Sequence, residues 1–467
     1  MSNKKSAFIL ISSGLFNVVL GIGVGFLLPK FLNYQDYSYY RIFMFYVPFY
    51  NLLHLGFADG VYRLYGSYDM KDLKDDKVID SALSFFILYQ LIVFVLMFIT
   101  AVMFKVETVY LYILVSFLIL NTNTVFRKLF SCIKEFKYVA TFSVLQKLSI
   151  FIAAILLFAF SKSNYHIVVI FFLVTNILIL VYEFYFFKDG IKLQNPFKSY
   201  AFKSFLKIVR TGFVIMFAYF LSYLILGLDR VFIEHNYSLV DYAIYSFAYS
   251  IIAVFLVTLN SLNSFIYPLL SRVHHDKIKE QYQDMSFYIN TFFTVAMIGV
   301  PFIIVFIRWF LPDYVESIPF FIVLVPVILF QTHYSLKYWQ FYNLRKNAKN
   351  FILVSVFGFF IGFGLNMYIL KTDQPIIYYA FATIISLMIW ISLLEIDFNK
   401  HFKIFEIKTF VYFITIAIGT TVLSFEYNLT YLIIVPSIVV FIYGVMYFKK
   451  ATELIKTIYT SLIGGKS

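Results

Sequence analysis

The chain has 467 residues, 61% of them hydrophobic and only 13% charged, with a mean hydropathy of +0.83 and a formal net charge of +13. A soluble domain carries roughly 45–50% apolar and about 25% charged residues, so a soluble globular protein, a disordered chain and a disulfide scaffold are all excluded. The one cysteine, Cys132, allows neither an intramolecular disulfide nor a thiolate metal site.

The apolar residues fall in blocks of about 20, the length a helix needs to cross ~30 Å of hydrocarbon. Fourteen spans are predicted, at about 7–28, 38–59, 81–104, 108–127, 141–160, 166–187, 209–228, 242–264, 286–307, 317–338, 350–370, 376–396, 409–425 and 430–448. The first has no small-residue cleavage site behind it and runs into Pro29-Lys30-Phe31, as a retained helix does rather than a signal peptide. It carries Asn17, and its Gly21 and Gly25 form a GxxxG face suited to close helix approach. Span 2 holds Arg41 near its outer end, then Pro48 and His54. Asp59 and Arg63 follow at its inner end, four residues apart on one helical face, where they could pair. Span 5 contains Lys147, about 9–10 Å in from its start. Span 6 ends near Glu183, which could face Lys188. Residues 196–210 place Phe202, Phe205, Leu206 and Val209 at helical spacing beside Lys203, Lys207 and Arg210, the pattern of an amphipathic helix on a membrane surface. Span 7 ends at Asp229-Arg230, Arg272 follows Pro268 after span 8, and His333 lies in span 10. Pro301, Pro326 and Pro436 interrupt later spans, where bending is expected.

Thirty of the 38 Lys and Arg residues fall in loops on one side of these spans and seven on the other, with Lys147 left inside a span. The positive-inside rule then places both termini in the cytoplasm and makes the number of spans even. Asp36-Tyr37-Ser38-Tyr39-Tyr40 ahead of span 2 and Asp241-Tyr242-Ala243-Ile244-Tyr245 ahead of span 8 repeat D-Y-x-x-Y in one ungapped register. This suggests a parallel duplication of six helices. The expected organisation is an N-terminal six-helix bundle (1–187), an amphipathic linker (188–208), a second six-helix bundle (209–396) and an extra helix pair with a tail (397–467).

Gly56-Phe57-Ala58-Asp59-Gly60-Val61-Tyr62-Arg63-Leu64-Tyr65-Gly66 after span 2, Leu228-Asp229-Arg230-Val231-Phe232-Ile233, and Tyr245-Ser246-Phe247-Ala248 in span 8 resemble the corresponding segments of polysaccharide flippases. These form the O-antigen and capsule branch of the multidrug/oligosaccharidyl-lipid/polysaccharide exporter superfamily. The resemblance implies two bundles around a V-shaped cavity that opens alternately to each side. It implies an undecaprenyl-diphosphate-linked oligosaccharide as substrate, flipped outward across a bacterial inner membrane, and a groove for the lipid tail along the last two spans. It further implies membrane lipids, a polysaccharide polymerase and chain-length machinery as partners, no nucleic acid, and no cofactor beyond coupling to an H⁺ or Na⁺ gradient or to the membrane potential.

An intramembrane charge is costly and therefore a functional candidate. Lys147 either snorkels to the interface or faces the cavity and pairs with a substrate phosphate. Arg41 is an interfacial anchor or a substrate ligand, and Asn17 could bond a neighbouring helix or a sugar. Arg63 and Arg272 could form matched inner-gate cations. Asp229-Arg230 reads as a loop ion pair or an outer-gate contact. His54 and His333 are interhelical partners or titrating groups, and Glu183 or Asp59 could serve coupling or gating. No HExxH, phosphate-binding GxxxxGK[ST] or DxD-type motif occurs, so the chain is not expected to be an enzyme. A drug/cation antiporter of the same superfamily would want a deep carboxylate in one half. A membrane glycan polymerase or transferase would want a long outer loop.

Overall fold

The computed structural model describes residues 3–160, 163–270, 278–344, 348–402, 406–425 and 428–463. Helix makes up 90% of it, with no strand among the described residues. The helices are α1 (Asn3–Phe31), α2 (Tyr34–Tyr46), α3 (Tyr50–Leu53), α4 (Phe57–Tyr65), α5 (Met70–Asp75), α6 (Lys77–Met103), α7 (Thr108–Cys132), α8 (Phe136–Phe160), α9 (Tyr165–Phe187) and α10 (Ser199–Asn236). They continue as α11 (Leu239–Leu270), α12 (Ile278–Phe310), α13 (Ile318–Leu324), α14 (Pro326–Thr332), α15 (Trp339–Leu344), α16 (Ala348–Lys371), α17 (Ile377–Phe402), α18 (Ile407–Phe425) and α19 (Leu429–Ile463). Twelve of the described helices are long and apolar enough to cross a membrane, or thirteen if the bent pair at residues 312–342 counts as one span. The protein is a multi-pass membrane protein.

The helix ends follow from local chemistry. Asn33 Oδ1 accepts the Asp36 amide at 2.8 Å, and Asn164 Oδ1 accepts the His166 amide at 2.9 Å, each satisfying a donor that the first helical turn leaves unpaired. Asp69 and Asp72 form a reciprocal capping box at α5, and Asp76 caps α6.

The second expected span, 38–59, is not one helix. Pro48 cannot donate to the helical ladder, and a short 3₁₀ turn at Val47–Phe49 ends α2. Leu55 and Gly56 then take positive φ values of 53° and 81°, turning the chain into α4. Around Pro326 the pieces Pro312–Leu324 and Pro326–Tyr342 are bent by 42°, and the second includes a π-helical turn at His333–Tyr338.

The chain separates into two compact units, Met1–Ser246 with 348–355, and Phe247–Asn347 with 356–467. In the first, the amphipathic stretch and span 7 are one continuous 38-residue helix, α10. Phe205, Ile208 and Val209 are buried. The Phe57 ring stacks 4.7 Å from Phe86 and 5.5 Å from Phe205. Only glycine permits the crossing of α4 and α10. A Cβ on Gly60 would lie 2.1 Å from Ile208 O, and one on Gly212 would lie 2.0 Å from Gly56 O. The close approach expected at Gly21 is absent, since a Cβ there would meet nothing within 4 Å; α1 meets α8 instead at Gly23, against Phe151.

Candidate functional site

Several charged side chains gather inside the first unit. Arg41 projects from α2 and Lys147 from α8, close enough for the Arg41 charge to act on Lys147. Both are partly buried, and neither forms a hydrogen bond or ion pair among the described residues; the Arg41 Nε is itself buried without a partner. Arg230 on α10 is 6% exposed and lies with Cζ 4.4 Å over the Phe45 ring. The charges of Arg41 and Arg230 both reach Tyr223 and Tyr242. Phe49 packs edge-on against Phe45, Phe220 and Tyr223.

The carboxylates nearby are occupied. Asp229, fully buried, accepts the Tyr245 hydroxyl and the Arg230 amide, the latter at 2.7 Å, and lies 3.9 Å from Arg230 Nε. The expected loop pair Asp229-Arg230 is thus a buried one. Glu234 accepts the Tyr46 hydroxyl at 2.7 Å and the Tyr110 hydroxyl at 2.6 Å, tying α10 to α2 and α7. Arg41 and Lys147 are thus left without a carboxylate partner among the described residues, and unpaired buried charge is costly unless a ligand neutralises it.

The other sequence candidates are placed as follows. Asn17 donates to Ser143 Oγ at 3.0 Å, linking α1 to α8. His54 Nδ1 accepts the Gly56 amide at 2.9 Å and so supports the break in span 2. Asp59 pairs with Lys128 of α7 at 3.2 Å rather than with Arg63, which is exposed. Glu183 is fully buried, and the cation acting on it is Arg127, whereas Lys188 sits 4.3 Å over the Tyr185 ring. In the second unit, His333 is fully buried and bonded through Nε2 to Asn290 Oδ1 at 2.9 Å. Arg272 lies outside the described residues. Glu234 was missed because it stands at a helix end and reads as a loop charge; the tyrosines that hold it had no signal apart from their abundance. Lys337, counted with the loop cations, is fully buried in the second unit.

With this geometry in view, the comparisons decide the family. A model described as "Polysaccharide biosynthesis protein" matches residues 4–274. The chain belongs to this family. Its fold is shared with a structure titled "Lipid II flippase MurJ, inward closed conformation", at TM-score 0.61 and 18% identity over 96% of this chain and 100% of that one. It is shared too with an inward-facing multidrug resistance MATE family transporter of the MOP superfamily, at TM-score 0.60 and 13% identity over 84% and 98%. An outward-facing MATE structure matches at TM-score 0.54 and 13% identity over 85% and 96%. No curated protein matches the chain by sequence. The family is thus one of polysaccharide biosynthesis proteins, on a membrane-spanning fold shared with the lipid II flippase and MATE transporter structures.

Proposed function

We propose that the chain flips a polyprenyl-diphosphate-linked oligosaccharide from the inner to the outer leaflet of a bacterial cytoplasmic membrane by alternating access, with both termini in the cytoplasm. The observation that carries this reading is the pair Arg41 and Lys147, two cations within electrostatic reach of each other and without a carboxylate partner among the described residues. Such a pair repels itself until an anion arrives. One phosphate charge ~4 Å from either cation gains about 4 kcal/mol at an effective dielectric near 20, and a guanidinium can grip it with two parallel hydrogen bonds. An outward-moving phosphate charge also runs with an inside-negative potential, gaining about 2.3 kcal/mol per charge per 100 mV. Family membership and the likeness in fold to a lipid II flippase support the same substrate class. A cationic drug as cargo fits less well, because Asp229 and Glu234 are hydrogen-bonded and Glu183 lies in the field of Arg127.

The test is surface polysaccharide in cells carrying Lys147→Ala or Arg41→Ala. Each variant should insert normally and lose polysaccharide, with Lys147→Arg retaining part of it. Normal polysaccharide in both alanine variants, or dye efflux in place of glycan export, would overturn the reading.

A further inference from the structure

Several cations of this chain are answered within it. In the second unit the buried Lys337 Nζ donates to Ser286 Oγ at 2.7 Å and to Glu406 Oε2 at 2.9 Å, and lies 3.4 Å from Glu395 Oε2. Lys128 meets Asp59 at 3.2 Å, Lys137 meets Glu135 at 3.3 Å, and Lys450 meets Asp284 at 2.7 Å. Around α5, Lys71, Lys74 and Lys77 alternate with Asp69, Asp72, Asp75 and Asp76. Residues 188–210 are different. Six cations there, Lys188, Lys192, Lys198, Lys203, Lys207 and Arg210, share one acid, Asp189. All six are exposed, and none forms an ion pair among the described residues.

The structure reverses the face that the sequence assigns to the membrane. Over the first turns of α10, Ala201, Ser204, Phe205, Ile208 and Val209 are buried in the first unit, with the Phe205 ring 5.5 Å from Phe57 and 5.1 Å from Phe85. Tyr200, Phe202, Lys203, Lys207 and Arg210 face outward instead. Tyr200, Lys203, Lys207 and Arg210 recur at the spacing of one helical stripe, and the last three span about 10 Å along the axis. The segment before the helix is irregular yet fixed. The Lys192 amide donates to Asp80 Oδ1 at 3.0 Å, the Gln194 amide to Ser84 Oγ at 2.8 Å, and Ser81 Oγ to Gln194 Oε1 at 2.9 Å, so α6 holds it at three points. Held this way, it presents Leu193 at 56% and Phe197 at 81% exposure. Such groups among lysines suit neither bulk water, which leaves the apolar surface uncovered, nor the hydrocarbon core, which excludes the ammonium groups. They suit the boundary between the two, where phosphate oxygens answer the cations and acyl chains cover the rings.

We propose that residues 192–210 form a docking surface for anionic phospholipid headgroups, with Phe197 set at the acyl boundary and Lys198, Lys203, Lys207 and Arg210 paired with headgroup phosphates. The occupant is the bilayer rather than a nucleic acid or an acidic protein. Those partners would answer the lysines and leave Leu193 and Phe197 uncovered, whereas α10 continues from this surface without a break into an apolar stretch long enough to cross a membrane. An anionic headgroup carries a net charge that a zwitterionic one lacks, so the unmatched cations select for it. With the termini in the cytoplasm, the surface meets the inner leaflet. The binding itself does not depend on the cargo proposed above.

The full chain in nanodiscs of phosphatidylcholine mixed with phosphatidylglycerol tests this in two ways. Cys132 is buried, so a nitroxide placed on Phe197→Cys reports one position. Its collision rates with oxygen and with a water-soluble nickel chelate should place it at the headgroup–acyl boundary. Native mass spectrometry of the released protein should show phosphatidylglycerol retained in preference to phosphatidylcholine. Lys198→Gln, Lys203→Gln, Lys207→Gln and Arg210→Gln should each reduce that preference, by up to about fivefold per cation. Lys71→Gln with Lys74→Gln, whose lysines have acids beside them, should leave it unchanged. A nitroxide at 197 that behaves as in free water, a wild type without preference for phosphatidylglycerol, or an equal loss in the control and in the fourfold variant would refute the proposal. The nitroxide reads depth with every cation intact, so it decides even where the fourfold variant does not fold.

Discussion

Lys128 Nζ lies 3.2 Å from Asp59 Oδ1, so the acid expected to pair with Arg63 along one helix is held instead from α7. The Lys128 ammonium also lies 5.2 Å over the Tyr62 ring, which fixes α4 against α7 from two directions. The pair is partly exposed, and such pairs contribute about 0–1 kcal/mol. Asp59→Ala should therefore lower the thermal midpoint slightly. Arg63→Ala should leave it unchanged, because exposed substitutions away from special features stay within about 0.5 kcal/mol. Thermal unfolding of both variants in detergent checks this; an Arg63→Ala loss larger than that of Asp59→Ala would show that the helix-face pair forms after all.

The crossing of α4 and α10 makes a sharper prediction. A methyl at Gly212 would fall 2.0 Å from Gly56 O and 2.2 Å from Gly60 N, both backbone atoms that cannot rotate aside. Overpacking costs typically 1–3 kcal/mol, and Gly212→Ala should reach the upper end, with Gly60→Ala close behind. Gly21→Ala, which meets nothing, serves as the neutral control. Folded yield and thermal midpoint after purification decide the matter. A Gly212→Ala protein as stable as wild type would rule out the backbone contact.

These glycines show what hydropathy can and cannot reveal. Most spans were legible because twenty apolar residues in a row leave the chain one way to satisfy its backbone in lipid. The break after His54 was not, because the turn depends on positive φ at Leu55 and Gly56. GxxxG appears at Gly21/Gly25 and again at Gly56/Gly60, and spacing alone cannot tell which copy meets a backbone. Lys147 stood out because it was the one cation left inside an expected span by the loop count. Lys337 was counted with the loop cations, and Glu395, at the end of the expected span 376–396, and Glu406 were not singled out; their burial depends on α12, α17 and α18 meeting, which no local pattern encodes. Arg230 and Asp229 were recognised, but their depth was not.

Glu234 holds the first unit together through two phenols. Tyr46→Phe or Tyr110→Phe removes one hydrogen bond to a charged acceptor, a loss of about 1.5–3 kcal/mol. The two losses should not add, since both bonds end on one carboxylate. Unfolding midpoints for the two single variants and the double variant form a cycle. Strict additivity would mean that the hydroxyls act independently of Glu234.

The Lys337 cluster predicts an asymmetry between breaking an ionic group and replacing it. Lys337→Met leaves Glu395 and Glu406 facing each other without a cation, and removal of one partner from a buried pair costs about 3–5 kcal/mol. The triple variant Lys337→Met, Glu395→Gln, Glu406→Gln removes every charge while keeping much of the volume, and should recover a large part of that loss. Glu395→Gln alone keeps Lys337 paired with Glu406 at 2.9 Å, so its cost should be the smallest of the three. Because α12, α17, α18 and the π-helical turn of span 10 all contribute to this cluster, the single lysine variant should also expose the chain at residues 333–338 to hydrogen exchange more than the triple variant does. If the triple variant proves less stable than Lys337→Met, the three charges contribute net stability through their mutual bonds.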